Sequence, residues 1–196
     1  MSKQQDCGSF HLRRPLGGIS IAAAHCLATL MLLTPALADA GQKPPPDGTV
    51  RIDNFVIDKA EVTIGRYSQV HKPSARHTKA QRNGGGVEYV GGWQKRPGWV
   101  WHSPHGQPGK PNEPVVHVTW SEARDFCRAV GARLPTLKQW QRAAYTETRD
   151  DPPDGLTKGK TYPYPVGDEP SGMNTSGDDQ WPRHAPAGQT RVGVNG

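Results

Sequence analysis

The sequence predicts a loop-rich α+β domain with two short helices and short strands, and three observations carry that expectation. Between Thr119 and Ala144 two reciprocal capping patterns are each followed by an apolar stripe at helical spacing. From Ile52 to Tyr67 the chain reads IDNFVIDKAEVTIGRY, with the β-branched alternation of a half-buried hairpin. The 23 glycines and 19 prolines among 196 residues leave little chain for long regular elements.

Residues 1–40 have the layout of an export signal. Lys3, Arg13 and Arg14 precede a mostly apolar run from Ile19 to Leu33, and Ala36-Leu37-Ala38 offers the small residues of a cleavage site. Ser20, His25 and Thr29 interrupt the run, which favours cleavage over a retained anchor and leaves no integral membrane span in the mature chain. The expected compartment is periplasmic or secreted. Three of the 24 basic and one of the 18 acidic residues leave with the signal, so the excess of positive charge is mild. Lys and Arg are scattered rather than striped, which excludes a nucleic-acid footprint.

Residues 41–50, with Pro44-Pro45-Pro46, form an extended linker. The domain is placed at residues 51–196, opening with the hairpin, whose turn is expected at Asp58-Lys59. Residues 71–114 are rich in Gly, Pro, Lys and His and are expected to be a long loop pinned by Trp93, Trp99 and Trp101. His102 and His105, with His117 as a third ligand, invite a metal reading. It is set aside because no carboxylate stands at a fixed spacing from them.

Val115, Val116 and Val118 suit a short strand. Thr119 with Glu122 then caps a helix whose stripe is Ala123, Phe126, Cys127 and Val130, and Gly131 ends it. Arg133-Leu134-Pro135 crosses to Thr136 with Gln139, a second box that starts a helix with Leu137, Trp140 and Ala144 on its inner face.

The run Val-His-Val-Thr-Trp-Ser-Glu-Ala (116–123), then Phe126-Cys127, Gly131, Arg133-Leu134-Pro135-Thr136 and Trp140, resembles the signature of the sulfatase-modifying factor family. That family includes the formylglycine-generating enzymes and related domains of ergothioneine-synthesis and pyoverdine-maturation proteins. Phe55, Ile57-Asp58, Glu61-Val62-Thr63 and Tyr67 match its opening in order. The chain departs from the pattern at Leu137, Gln139 and Gln141, where relatives carry glutamates, and at Val166, which replaces the tryptophan of Tyr-Pro-Trp-Gly.

The resemblance implies a formylglycine-generating-enzyme, C-type-lectin-like fold. It also implies a calcium site at Asn174, Thr175, Asp179 and Trp181, made of two side-chain oxygens and two carbonyls. Read without it, Asn174 and Asp178 are the makings of Asx turns.

Active relatives bind copper with a pair of cysteines near the C-terminus and oxidise a sulfatase cysteine. The chain ends at Gly196 ahead of that region, so it is expected to be the first part of the family domain, with copper only where the remainder supplies the pair. Cys127 stays alone once Cys7 and Cys26 leave with the signal. The resemblance implies a disulfide from Cys127 to a partner outside the chain; the alternative is a buried thiol acting as a small hydrophobe. A catalytic Cys127 is excluded by its place on the core stripe, away from any helix N-terminus or fixed cation.

Two functions therefore stand at the sequence level. One is a scaffold or binding module with an exported protein or peptide as partner. The other is part of an oxidase that converts a sulfatase cysteine to formylglycine.

Overall fold

A computed structural model describes residues 44–72, 77–175, 181 and 183–196. Among these residues the elements are β1 (Thr49–Ile52), β2 (Phe55–Asp58), α1 (Ile64–Val70), α2 (Lys79–Arg82), β3 (Gly85–Tyr89), β4 (Trp93–Pro97), α3 (Trp120–Ala129) and α4 (Leu137–Tyr145). The class is mixed α and β, with four helices where two were expected. The export-signal residues lie outside the described residues.

β1 opens at Thr49 and pairs with β2 antiparallel, Thr49 opposite Asp58 and Ile52 opposite Phe55. The turn falls at Asp53-Asn54 and not at Asp58-Lys59. Asp53 takes a φ of 49°, a left-handed value that Asp tolerates because its short side chain bonds locally. Ile52, Phe55 and Ile57 are buried in one cluster against Val50 and Ala143, so the hairpin packs on α4. The Asp53 carboxylate accepts from Arg142 Nε at 2.8 Å and Nη2 at 3.2 Å, fixing the turn to the same helix.

Residues 64–70 form a helix and not the hairpin's second strand. Thr63 is the reason: its side chain accepts from Arg66 N–H at 3.1 Å, and Ile64 and Tyr67 then fall three residues apart on one buried face. Val115 to Val118 is likewise no strand. Val115 N–H reaches Val62 O at 2.9 Å, but His117 turns to a φ of 56°, which breaks extended pairing after a single residue.

The expected loop 71–114 holds α2 and the β3–β4 ribbon. Thr78 and Gln81 form a capping box, and Tyr89 opposite Trp93 brings the two rings to 5.4 Å, edge to face.

α3 keeps its predicted cap and inner face. Thr119 N–H donates to Glu122 Oε2 at 2.8 Å, while Ala123, Phe126 and Cys127 are buried. The other oxygen of Glu122 accepts from Lys79 N–H at 2.7 Å, so one carboxylate satisfies the starts of α2 and α3 together.

α4 has its Thr136–Gln139 box but not its predicted face. Leu137 is 71% exposed and none of its residues is fully buried, because the helix meets the β1–β2 hairpin through Ala143 instead.

The main core joins Val62, Ile64, Tyr67, Trp101, Phe126, Cys127 and Ala132, with Val115, Val118, Val130 and Leu134 at its edge. Tyr67 stands 5.1 Å from Trp101 and 5.0 Å from Phe126, ring to ring. Each such pair adds about 0.5–1.5 kcal/mol beyond the area it buries.

Behind α4 the chain is closed by Glu147 and Asn195, both buried. Glu147 accepts from Arg149 Nε at 2.9 Å, Arg149 Nη2 at 2.6 Å and Arg149 N–H at 2.8 Å. Asn195 accepts from Thr148 N–H at 2.8 Å and donates to the carbonyls of Ala143 and Thr146 at 2.8 and 2.7 Å.

Burial pushes the Glu147 carboxyl up, but the Arg149 guanidinium and the N–H groups of Arg149 and Asn195 outweigh it and hold the group below its ordinary value of 4.5. The unfolded chain therefore binds this proton more readily. The stability contributed is present above the unfolded value and is lost as pH falls through the folded one. Glu147→Gln is expected to cost about 1.5–3 kcal/mol at neutral pH and to flatten the acid limb, read from denaturant midpoints between pH 7 and pH 3.

Candidate functional site

Two regions carry chemistry, and both involve the segment at Arg183 and His184. The first is the loop that ends at Thr175. Asn174 Nδ2 donates to Arg183 O at 2.9 Å, which orients the amide so that Oδ1 faces the other way. Oδ1 is buried and has no hydrogen-bond partner. A buried acceptor in that state asks for an ion or a water, and an amide oxygen is a ligand that calcium takes.

Asn174, Thr175 and Trp181 line a cavity of about 660 Å³ together with Gly172, Met173 and Arg191. Gly172 has a φ of 87°, and a Cβ there would stand 2.7 Å from that of Arg191, so only glycine permits this approach. Three of the four expected calcium ligands thus border one cavity. Asp179, with its neighbour Asp178, lies outside the described residues. The donor set present, an amide oxygen beside backbone carbonyls, fits a hard cation. No group of three His, Cys, Asp or Glu side chains is arranged to hold a metal among the described residues.

The second region sorts the histidines differently from their sequence order. His102 turns away, its Nδ1 3.2 Å from Ser103 Oγ and its ring edge-on to Trp101 at 5.0 Å. His105 and His117 both face Trp99, at 5.0 and 5.8 Å between ring centroids. His184 joins them, 4.8 Å from His105.

Nothing in the sequence separates His184 from any other loop histidine. Its partner is remote along the chain and only the fold brings them together. His117 donates from Nε2 to Pro104 O at 2.9 Å, which anchors the turn that carries His105. Burial, then the charges of His184, Arg183 and His117, pull the His105 ring down to about 4; burial also lowers His184.

Cys127 is fully buried on the inner face of α3 and disulfide-bonded, its partner lying outside the described residues. It is a structural residue.

A capped helix pair, an opening hairpin packed on the second helix, and a long tryptophan-pinned loop define the kind of domain present. The chain belongs to the sulfatase-modifying factor enzyme 1-like family, whose sequence model matches residues 23–193. It is 34% identical to the formylglycine-generating enzyme of Streptomyces coelicolor over 136 residues, which are 56% of this chain and 43% of that protein. It is 32% identical to the formylglycine-generating enzyme of Thermomonospora curvata over 127 residues, 51% of this chain and 42% of the relative. It is 39% identical to the inactive Cα-formylglycine-generating enzyme 2 of Mus musculus over 77 residues, 37% of this chain and 22% of that one. The chain spans less than half the length of the curated relatives it matches.

The histidine region depends on close backbone approach at Gly86, where a Cβ would stand 2.2 Å from His117 Nδ1. Gly86→Ala is expected to destabilise the domain by about 1–3 kcal/mol and to shift the fluorescence of its tryptophans. Gly92→Ala, at a ribbon tip with nothing within 4 Å, should change stability by no more than about 0.5 kcal/mol. Thermal melting of the two variants side by side checks both.

Proposed function

We propose that this chain is an exported, calcium-binding scaffold or binding module of its family, engaging an exported protein or peptide, and that it does not oxidise cysteine alone. One observation carries this reading. From Pro44 to Gly196 the sequence contains one cysteine, Cys127, and that residue is buried and disulfide-bonded. Oxidation of a sulfatase cysteine at copper needs accessible thiolates as ligands and nucleophile. This part of the chain offers none.

The short helices, short ribbons and long loops support a C-type-lectin-like arrangement, a scaffold on which loops and not regular elements carry the binding groups. The layout of residues 1–40 supports a periplasmic or secreted location. In the described residues no helix is long and apolar enough to cross a membrane.

Calcium is supported by the orphaned Asn174 Oδ1. Asn174 and Asp179 would supply side-chain oxygens, Thr175 and Trp181 carbonyls, and the ion would order the loop between them. A second reading, that the chain is part of an oxidase producing formylglycine, is favoured by its 34% identity to an enzyme so named.

Incubating the full chain with a sulfatase-motif peptide, with and without copper, separates the two. No formylglycine above a buffer control is expected, and product formed by this chain alone would defeat the scaffold reading. For calcium, an incomplete protein shell implies modest affinity, on the order of 10⁻⁴–10⁻³ M. At a free concentration 100 times the dissociation constant the ion should add about 2.7 kcal/mol of stability. Asp179→Ala is expected to abolish the calcium-dependent rise in melting temperature, and Asp178→Ala to keep it. Equal rises in wild type and Asp179→Ala would remove the site.

A further inference from the structure

The histidine region has features that neither packing nor the calcium loop uses. His105 has both ring nitrogens buried without a hydrogen-bond partner, and His184 has its Nδ1 in the same condition. A neutral imidazole carries one N–H and one lone pair, so His105 withholds a donor and an acceptor from water and gives neither to the protein. Buried polar atoms in that state call for an ion or a water between them.

The two rings lie 4.8 Å apart between centroids with planes at 47°, close enough for one nitrogen of each to reach a shared ion at the about 2.0–2.1 Å of a zinc–imidazole bond. The surroundings suit a cation held by neutral rings. Trp99 walls His105 edge-on at 5.0 Å, and the Glu113 carboxylate acts on both rings. His117, in a left-handed conformation that a non-glycine residue adopts at a cost, fixes the carbonyl of Pro104, next to His105.

We propose that His105 and His184 are the two protein ligands of a borderline transition-metal site of the Zn(II) class, with solvent completing the coordination. No third side chain is preorganised among the described residues, so the ion holds a position open to an exogenous ligand. Burial keeps both rings in the unprotonated form that binds metal, so little proton release accompanies binding at neutral pH. The site differs from the calcium loop in its ligand class, nitrogen instead of oxygen.

The test is zinc competition between the full 196-residue chain and a chromophoric zinc indicator at neutral pH, with calcium present in excess so that oxygen-ligand sites are filled. Wild type is expected to take one zinc ion that His105→Ala and His184→Ala each bind at least about tenfold more weakly, while His102→Ala binds it as wild type does. Zinc affinity unchanged in His105→Ala and His184→Ala overturns the proposal and leaves the pair as a water-bridged contact.

Circular dichroism checks that each variant is folded. Should either fail, histidine ring signals in NMR of the wild type decide. Shifts of His105 and His184 at stoichiometric zinc, with His102 unmoved, support the site, and unshifted His105 and His184 signals overturn it.

Discussion

Burial of the Trp101 indole holds the long loop to the rest of the domain. It sits on no helix or strand, yet it is 1% exposed, enclosed by the rings of Tyr67, His71 and His102 and in the same cluster as Phe126 and Cys127. A loop pinned by one large apolar side chain needs few regular hydrogen bonds to keep its shape, because the indole's transfer from water outweighs much of the ordering entropy. Val100 and Ser103 then close a small turn around it through paired backbone bonds of 3.1 and 2.9 Å. Pro104 and His105 follow that turn directly in the chain. The histidine region thus inherits its rigidity from the aromatic core.

What the sequence made legible was what is written locally. Thr119 with Glu122 and Thr136 with Gln139 are short-range signals, and both helix starts follow them. The α3 face was readable because its stripe meets the core it was expected to meet. The α4 face was not, since which residues a helix buries depends on its neighbour, and the neighbour here is a hairpin contacting Ala143 while Leu137 stays in solvent.

α1 was hidden by its own composition. Ile64, Tyr67 and Val70 recur at a helical spacing of three, but over seven residues that period does not stand out from the β-branched run before it, and the Thr63 cap is the other helix signal. The β3–β4 ribbon was masked by glycine, four of which stand in or between its strands. For the candidate sites, Asn174 was legible through family resemblance. The pairing of His105 with His184 is a long-range contact that no local pattern encodes.

The bond from Asn174 Nδ2 to Arg183 O ties the two candidate sites to one short stretch of backbone. Arg183 also places its guanidinium 5.6 Å from the Trp99 ring, and Trp99 stands against His105 and His117. Whatever orders the Asn174 side therefore also orders the carrier of His184.

Both sheets have only two strands, so every strand in the described residues is an edge. Unpaired edges invite pairing with other chains, and the two ribbons avoid it by different means. β1 and β2 turn Ile52, Phe55 and Ile57 into the α4 contact, leaving little apolar surface for a partner strand. β3 and β4 cannot hide in that way, with Val87, Tyr89 and Trp93 more than half exposed. Their protection is chemical: Glu88 and Arg96 are paired across the ribbon at 2.8 Å, Lys95 points to solvent, and Pro97 ends the ladder. Neutralising those charges would turn an ordinary surface ribbon into a seed for self-association.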